Sequence, residues 1–134
     1  MSKPEKSNEI VYKIKTESLE DFFVRGKNTA KLLDKGESIQ PRRVISFEDP
    51  NDLIKFLTAT KLALLAAIRN KPDSISKLAH KLHRSRSAID KDIQLLESVG
   101  IVESEYVINP GHGRYRIIKT IDSRPIKLKV ETII

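Results

Sequence analysis

The hydrophobic residues at the start of the chain change from strand-like alternation to a helical repeat. In residues 9–15, Ile10, Tyr12 and Ile14 fall on one face, which predicts a short strand. Ser18, followed by Asp21, resembles a capping box that begins a helix, and a glycine at position 36 would end it. The apolar stripe of this helix consists of Leu19, Phe22, Phe23, Ala30 and Leu33. Residues 41–46 then predict a connector or a second short strand.

Helix signals become dense from Phe47 onward. Asp49 is a suitable N-cap and Pro50 a suitable first helical residue, so together they predict a short helix that reaches Leu57. Thr58 can cap the next helix, residues 59–69, which is apolar on nearly every side. A helix of that kind is usually buried, so we expect it to form the core.

Two short amphipathic helices and a hairpin follow. The first begins at Ser74 and repeats its apolar residues at helical spacing, at Ile75, Leu78, Ala79 and Leu82. A short turn, His83-Arg84, precedes the N-cap Ser85 of a second helix, which buries Ile89, Ile93, Leu96 and Val99. Two apolar-rich runs, 101–108 and 114–121, flank a Gly/Pro turn and predict a β-hairpin. Alternation at residues 126–131 predicts a last strand.

This order of elements predicts an α+β winged helix-turn-helix protein. Two short helices joined by a tight turn form a helix-turn-helix when the second lies in the DNA major groove, and the hairpin supplies the wing. We expect residues 47–134 to form the DNA-binding domain. Residues 1–46 form a strand-helix extension and a candidate dimerisation element.

The charge favours a polyanionic partner. Lys and Arg total 25 against 18 acidic residues, which gives a net charge of +7. Seven basic residues and two acids lie between Arg69 and Lys91, so the surplus is concentrated at the helix-turn-helix. The chain contains no cysteine, which excludes disulfides and thiolate metal sites.

The polar face of the last helix carries groups suited to DNA. Hydroxyl, amide and cationic side chains can meet base edges and phosphates, whereas an ordinary solvated helix more often pairs Glu with Lys. The turn at the hairpin tip is flanked by cations suited to a minor groove or a row of phosphates, although a common Gly-rich turn is the alternative. The candidate DNA-binding residues are Lys77, Arg84, Ser85, Arg86, Ser87, Lys91, Gln94, His112, Arg114 and Arg116.

Two acidic residues of the same helix need partners. Asp90 would repel phosphate unless it accepts from a cytosine amino group or pairs with a neighbouring cation. Asp92 falls inside the apolar arc, and a lone buried carboxylate is costly. We therefore expect Asp92 to pair with a basic residue or to cap a backbone segment.

The sequence argues against an enzyme. His80 and His83 could approach a metal, but His112 is the only further imidazole, so we expect no metal site and no cofactor. There is no Gly-rich phosphate loop and no nucleophile elbow. The polar start of the chain and the absence of a membrane-length apolar run lead us to expect a cytoplasmic protein without a membrane partner.

Four segments carry a resemblance to a known family: residues 47–53, 57–68, 74–82 and 84–103. They resemble winged-helix DNA-binding proteins and antitoxin components of archaea and bacteria (TumA-like), and are more loosely similar to MarR-like and ArsR-like regulators. The resemblance implies sequence-specific binding of double-stranded DNA, a homodimer, and a gene beside that of a toxin partner such as a TumE-like protein. It places Ser85, Arg86, Ser87, Lys91 and Gln94 on the recognition surface, and it has His83 where glycine is expected in the turn.

Three functions remain open at this point. The first is a transcriptional repressor that binds an operator as a homodimer. The second is an antitoxin that binds a cognate toxin and represses its own operon. The third is a structural or RNA-associated module that uses the basic surface without sequence preference.

Overall fold

The computed structural model describes residues 8–36 and 43–133, which form five helices and five strands. The helices are α1 (Leu19–Asp34), α2 (Pro50–Phe56), α3 (Ala59–Asn70), α4 (Ile75–Leu82) and α5 (Arg86–Ser98). The strands are β1 (Ile10–Thr16), β2 (Arg43–Phe47), β3 (Val102–Asn109), β4 (Gly113–Thr120) and β5 (Ile126–Glu131). Pro41 and Arg42, the start of the predicted connector, lie outside the described residues.

The chain divides into two compact units. The first contains residues up to Phe56 and the segment from Ile126 onward, and the second is Leu57–Pro125. This division differs from the boundary expected after residue 46, because α2 packs on β1 and β2, and β5 pairs with β1. The local helix signal of α2 carries no information about that packing.

The first unit is built on a parallel sheet with strand order β2-β1-β5. The alternation of β1 turns Ile10, Tyr12 and Ile14 to a buried face, as predicted. Opposite them lie Ile45 of β2 and Leu128 of β5, in register with Ile14 and Tyr12. Helix α2 packs on the two strands β1 and β2 and buries Leu53 and Phe56. Pairing of β1 with β2 in parallel requires a crossover connection, and the chain segment that contains α1 supplies it.

Helix α1 begins as the sequence predicts but buries none of its residues. The Ser18 hydroxyl accepts a hydrogen bond from the Asp21 backbone N–H, at 3.0 Å. The helix ends before Gly36, whose φ of 74° is in the left-handed region. Each other helix of the described chain buries at least two side chains. The apolar face of α1 is therefore not covered by any of the residues that the structure describes.

The second unit is the winged helix-turn-helix. Helices α3, α4 and α5 pack together with the antiparallel hairpin β3-β4. Its buried residues include most of those the periodicity predicts, with Ile118 added by the hairpin: Leu64, Leu65, Ile68, Leu78, Ala79, Ile89, Ile93, Leu96 and Ile118. This unit gives the fold class, an α+β winged helix-turn-helix.

Helix α3 corrects one expectation. It is not buried on all sides, because only the side that faces α4 and β4 is covered. Leu62 is 42% exposed, and Ala63 and Ala66 are exposed beside it. Apolar composition predicts a core helix correctly but overstates how much of its surface the second unit covers.

No helix in the described part of the chain is long and apolar enough to cross a membrane. Residues 8–36 and 43–133 also contain no group of three or more His, Cys, Asp or Glu side chains placed to hold a metal ion.

Candidate nucleic-acid interface

The turn between α4 and α5 is fixed by backbone and capping interactions. His83 adopts the left-handed conformation, with φ 54° and ψ 45°, at the C-cap of α4. Histidine is one of the residues that tolerate this region, so it can replace the glycine expected here. The Arg84 backbone N–H donates to the Ala79 carbonyl at 3.0 Å, which closes the end of α4. Ser85 then caps α5 by accepting from the Ala88 backbone N–H at 3.1 Å.

An internal ion pair holds α5 against this turn. The Arg84 guanidinium lies 2.8 Å from the Asp92 carboxylate, and the Lys61 ammonium of α3 lies 3.9 Å from the same group. The predicted pairing of Asp92 with a basic residue is confirmed. Both side chains are largely buried, at 22% exposed for Arg84 and 12% for Asp92. Arg84 thus orients the two helices and is not placed on the exposed surface with the other candidate residues.

The outer face of α5 is polar and open. Arg86, Ser87, Lys91 and Gln94 are all exposed. The inner face buries Ile89 and Ile93 completely. The candidate recognition side chains of this helix therefore point away from the core of the second unit.

The Asp90 carboxylate on this helix has two side-chain partners. The Gln94 side-chain amide donates to one oxygen of Asp90 at 2.8 Å. The Arg116 guanidinium lies 3.5 Å from the other oxygen. Arg116 is shared between Asp90 and Glu97, so these three groups together keep one negative charge near the cations Arg86 and Lys91.

Arg116 ties the wing to α5. One guanidinium nitrogen donates to the Glu97 carboxylate at 2.6 Å, and the Nε donates to the Ser104 hydroxyl of β3 at 2.7 Å. Together with its pairing to Asp90, these bonds engage the guanidinium group of Arg116. The residue orients the hairpin relative to the helix, which is a different role from the DNA contact expected from the sequence.

The hairpin tip presents an imidazole and a guanidinium on a tight turn. Asn109 ends β3 and Gly113 begins β4, and the His112 backbone N–H donates to the Asn109 carbonyl at 2.8 Å. Gly111 and Gly113 have φ values of 82° and 77°, which side-chain-bearing residues rarely adopt. His112 and Arg114 are exposed, and Arg114 lies over the ring of Tyr106 at 5.3 Å. Stacking of this kind restrains the guanidinium close to the tip.

The N-terminus of α4 and the wing line a shared cavity of about 460 Å³. Lys77 of α4 lies on one side, with His112 and Tyr115 on the other. Residue 73 forms a bridge with Ile118 of β4, where the Ile118 N–H donates to the Asp73 carbonyl at 2.9 Å. This bridge fixes the wing beside α4, so Lys77 and His112 are brought together although they are far apart in sequence.

The two faces of the wing differ in charge compensation. On one face, Lys119 lies 3.1 Å from Glu105 and 3.6 Å from Glu103. The hydrogen bond with Glu105 raises the pKa of Lys119 above its ordinary value of 10.5. On the other face, alternation along the strands puts Tyr106, Ile108 and Arg114 on the side that carries Arg116 toward α5. The positive charge of Arg114 is on the face that continues the surface of α5.

Sequence reasoning missed the exposed apolar groups of this wing. Tyr106 is 60% exposed, Ile108 is 74% exposed and Tyr115 is 43% exposed. The signal was present in the strand alternation, since the face of β3 that begins with buried Val102 continues outward to Tyr106 and Ile108. An apolar face that extends past the end of the core is a sign of a contact surface.

One family model matches part of the sequence. A family model named HVO_A0114 matches residues 56–121, which are 66 of the 134 residues and thus just under half of the chain. No curated protein matches the sequence.

Solved structures of regulators are similar at low identity. A possible transcriptional regulator from Methanosarcina mazei Go1 is 23% identical with a TM-score of 0.44, over 54% of this chain and 65% of that one. A variant of Lactococcus lactis ZitR in complex with DNA is 18% identical with a TM-score of 0.44, over 80% of this chain and 68% of that one. A MarR-like regulator from Thermotoga maritima is 18% identical with a TM-score of 0.43, over 79% of this chain and 66% of that one. The chain thus spans about two thirds of the length of these structures.

Proposed function

We propose that the protein is a sequence-specific regulator of transcription that binds double-stranded DNA through α5 and the wing. The observation that carries this proposal is the outer face of α5, where Arg86, Ser87, Lys91 and Gln94 are exposed on a helix anchored by its buried inner face. A major groove admits a helix of this size, and these side chains can donate to guanine, adenine and phosphate.

The roles divide into readout, backbone contact and positioning. Ser87 and Gln94 are suited to base edges, and Arg86 and Lys91 to bases or phosphates. Ser85 caps α5 with its hydroxyl, so its contribution is the placement of the N-terminus of the helix near a phosphate. Arg84 and Arg116 act through their ion pairs and hold α5 and the wing in position.

The wing supports the proposal with two further cations and an imidazole. Lys77, His112 and Arg114 are exposed around and beyond the cavity between α4 and the hairpin. A phosphate backbone that follows the cavity would meet Lys77 and His112. Arg114 lies on the opposite face of the wing and would meet DNA on the side toward α5. Ile108 and Tyr106 could then contact the minor groove, where apolar side chains pack against or between base pairs.

Repression is the regulatory outcome that binding alone can produce, because a protein seated on a promoter excludes polymerase. We therefore assign a repressor. The antitoxin role implied by the resemblance requires in addition a specific toxin protein, and rescue of growth by a variant unable to bind DNA would favour it.

The test is selection of bound sequences from random duplex DNA, with the native upstream region included. We expect a defined motif, and binding that falls steeply with salt concentration because phosphate contacts release counterions. Replacement of Arg86 and Lys91 by Ala should abolish preference for the motif. The matched control replaces Lys35 and Lys129, exposed cations of the first unit, by Ala and removes the same charge.

Two results would overturn the proposal. One is equal affinity of the Arg86/Lys91 variant and the control variant for the selected motif. The other is a shallow salt dependence with no enriched motif, which would favour the module without sequence preference.

A further inference from the structure

Helix α1 has a large apolar face that nothing in the described chain covers. It contains 16 residues and buries none of them. Leu19, Phe23 and Leu33 are 57%, 58% and 59% exposed. An isolated helix of this length is only marginally stable in water, because helices in proteins are stabilised mainly by packing of an amphipathic face. The helix therefore needs a partner surface.

Most of the exposed apolar residues of α1 form a narrow stripe, and Val24 and Leu32, 49% and 39% exposed, lie on the other side of the helix. At about 100° per residue, the members of the stripe fall within an arc of about 100°. These are Leu19, Phe22, Phe23, Gly26, Ala30 and Leu33. Charged side chains border the stripe, and Asn28 lies on the opposite side of the helix. A stripe of this width is the contact surface of a helix that packs against one other helix.

The order of large and small residues along the stripe is self-complementary about Gly26. Leu19 and Leu33 lie seven residues to either side, and Phe22 and Ala30 lie four residues to either side. In an antiparallel pair centred on Gly26, each Phe22 would face the small Ala30 of the other copy. A cavity of about 510 Å³ lined by Phe22, Phe23, Gly26 and Ala30, among others, lies where that ring would enter.

Charge selects the antiparallel arrangement over the parallel one. Glu20 and Asp21 are in the first turn of α1, and Lys27 and Lys31 are in its second half. Arg25 is held by Glu17 at 2.6 Å, so it does not offset the acidic end. A parallel pair would place acids against acids, whereas an antiparallel pair places Glu20 near Lys31 of the other copy and also opposes the helix dipoles.

We propose that two copies of the chain associate through α1, antiparallel, with the two-fold axis at Gly26. The close approach of the helices uses the missing side chain of Gly26, whose position has open space within the single chain. Glycine destabilises the middle of a helix, and in the dimer its lack of a side chain would allow the two helices to approach closely. This association does not depend on DNA binding and is measured without DNA.

The absence of cysteine makes a directional test possible. Single variants Leu19→Cys and Leu33→Cys are prepared separately and then mixed in the presence of a short bifunctional maleimide. We expect cross-linked dimers from the mixture and little product from either variant alone. Gly26→Cys should cross-link with itself, and Asn28→Cys, on the opposite side, should not.

A pair of charge variants measures the contribution of the interface. Gly26→Glu puts two carboxylates on the two-fold axis and should weaken association at least a hundredfold in sedimentation equilibrium. Asn28→Glu makes the same charge change away from the stripe and should leave association unchanged. Circular dichroism checks that both variants keep the fold, which is expected because both positions are exposed in the single chain.

Three outcomes would overturn the proposal. The first is a monomer at 100 µM in sedimentation equilibrium. The second is self-cross-linking of Leu19→Cys that exceeds its cross-linking to Leu33→Cys, which would indicate a parallel pair. The third is a dimer that Gly26→Glu leaves intact, which would place the interface elsewhere.

Discussion

Helices α1 and α5 have similar amphipathic sequences, but only α5 buries its apolar face within the described chain. Each begins at a capping serine, Ser18 or Ser85, and each has one apolar face. Helix α5 buries that face within its own unit and presents a polar face, whereas α1 leaves its apolar face open. Amphipathic spacing therefore predicts that a face will be covered but does not say which molecule covers it.

The largest expected contrast between these helices is in stability. Ile93 of α5 is fully buried, so Ile93→Ala removes packed methyl groups and leaves a cavity. We expect a loss of about 3 kcal/mol in the free energy of unfolding. Phe22→Ala in α1 should cost less than about 1 kcal/mol at protein concentrations that keep the chain monomeric. Urea denaturation of both variants measures the contrast, and equal losses would contradict the assignment of an open face to α1.

Asp92→Ala should give the next largest effect. It leaves the buried Arg84 guanidinium without its partner at 2.8 Å, so we expect a loss of about 2 kcal/mol. A double variant that also replaces Arg84 by Met should regain part of this loss. Asp21→Ala, in the exposed first turn of α1, is the control. An unchanged melting temperature for Asp92→Ala would refute the structural role of the pair.

Lys91→Met tests the polar face of α5 through its DNA affinity. We expect a loss of about 1 kcal/mol on all sequences and a reduction of about 1 in the slope of the logarithm of affinity against the logarithm of salt concentration. Lys27→Met, on α1, should leave the slope unchanged when measured above the dissociation constant of the dimer. Fluorescence anisotropy over a series of salt concentrations provides the comparison, and equal slopes for the two variants would remove Lys91 from the interface.

The smallest effect concerns the attachment of α1 to the first unit. The hydrogen bond from Arg25 holds the pKa of Glu17 below its ordinary value of 4.5, against the opposing effect of burial. Since the folded pKa is lowered, the stabilisation is present above pH 4.5 and is lost as the pH falls through the folded pKa. Arg25 is partly solvated, so we expect about 1 kcal/mol or less.

Glu17→Gln should therefore lower stability at neutral pH and flatten its decline in acid. Thermal unfolding between pH 7 and pH 3 measures this change. Glu20→Gln, an exposed neighbour, serves as the control. If the melting temperatures of the wild type and of Glu17→Gln fall in parallel down to pH 3, the ion pair contributes nothing to the pH dependence of stability.

Local signals in the sequence were enough to predict the helix-turn-helix. The caps Ser74 and Ser85 and the apolar repeats of α4 and α5 act within a few residues, and the structure confirms them. The pairing of Asp92 could also be predicted, because a carboxylate inside an apolar arc requires a partner. Its partner Arg84 was instead assigned to DNA, since a cation beside a recognition helix has two physically reasonable uses.

Long-range contacts set the limit of prediction. The position of Arg116 next to the hairpin turn predicts a cation that contacts DNA. Its bonds to Glu97 and Ser104 depend instead on how the hairpin packs against α5. Pairing of β1 with β5 likewise depends on residues far apart in the sequence, such as Ile10 and Ile126. Neither contact has a spacing that a single sequence displays. The exposure of Leu62 could not be predicted for the same reason, because it depends on which part of α3 the neighbouring elements cover.

The parallel pairing of β1 with β5 sets an order of assembly during synthesis. Ile10 pairs with Ile126, a separation of 116 residues. Leu57–Pro125 is synthesised before β5 and forms a compact unit by itself. The winged unit can thus fold while the sheet still lacks β5, and the first unit is completed only when Ile126–Glu131 has emerged.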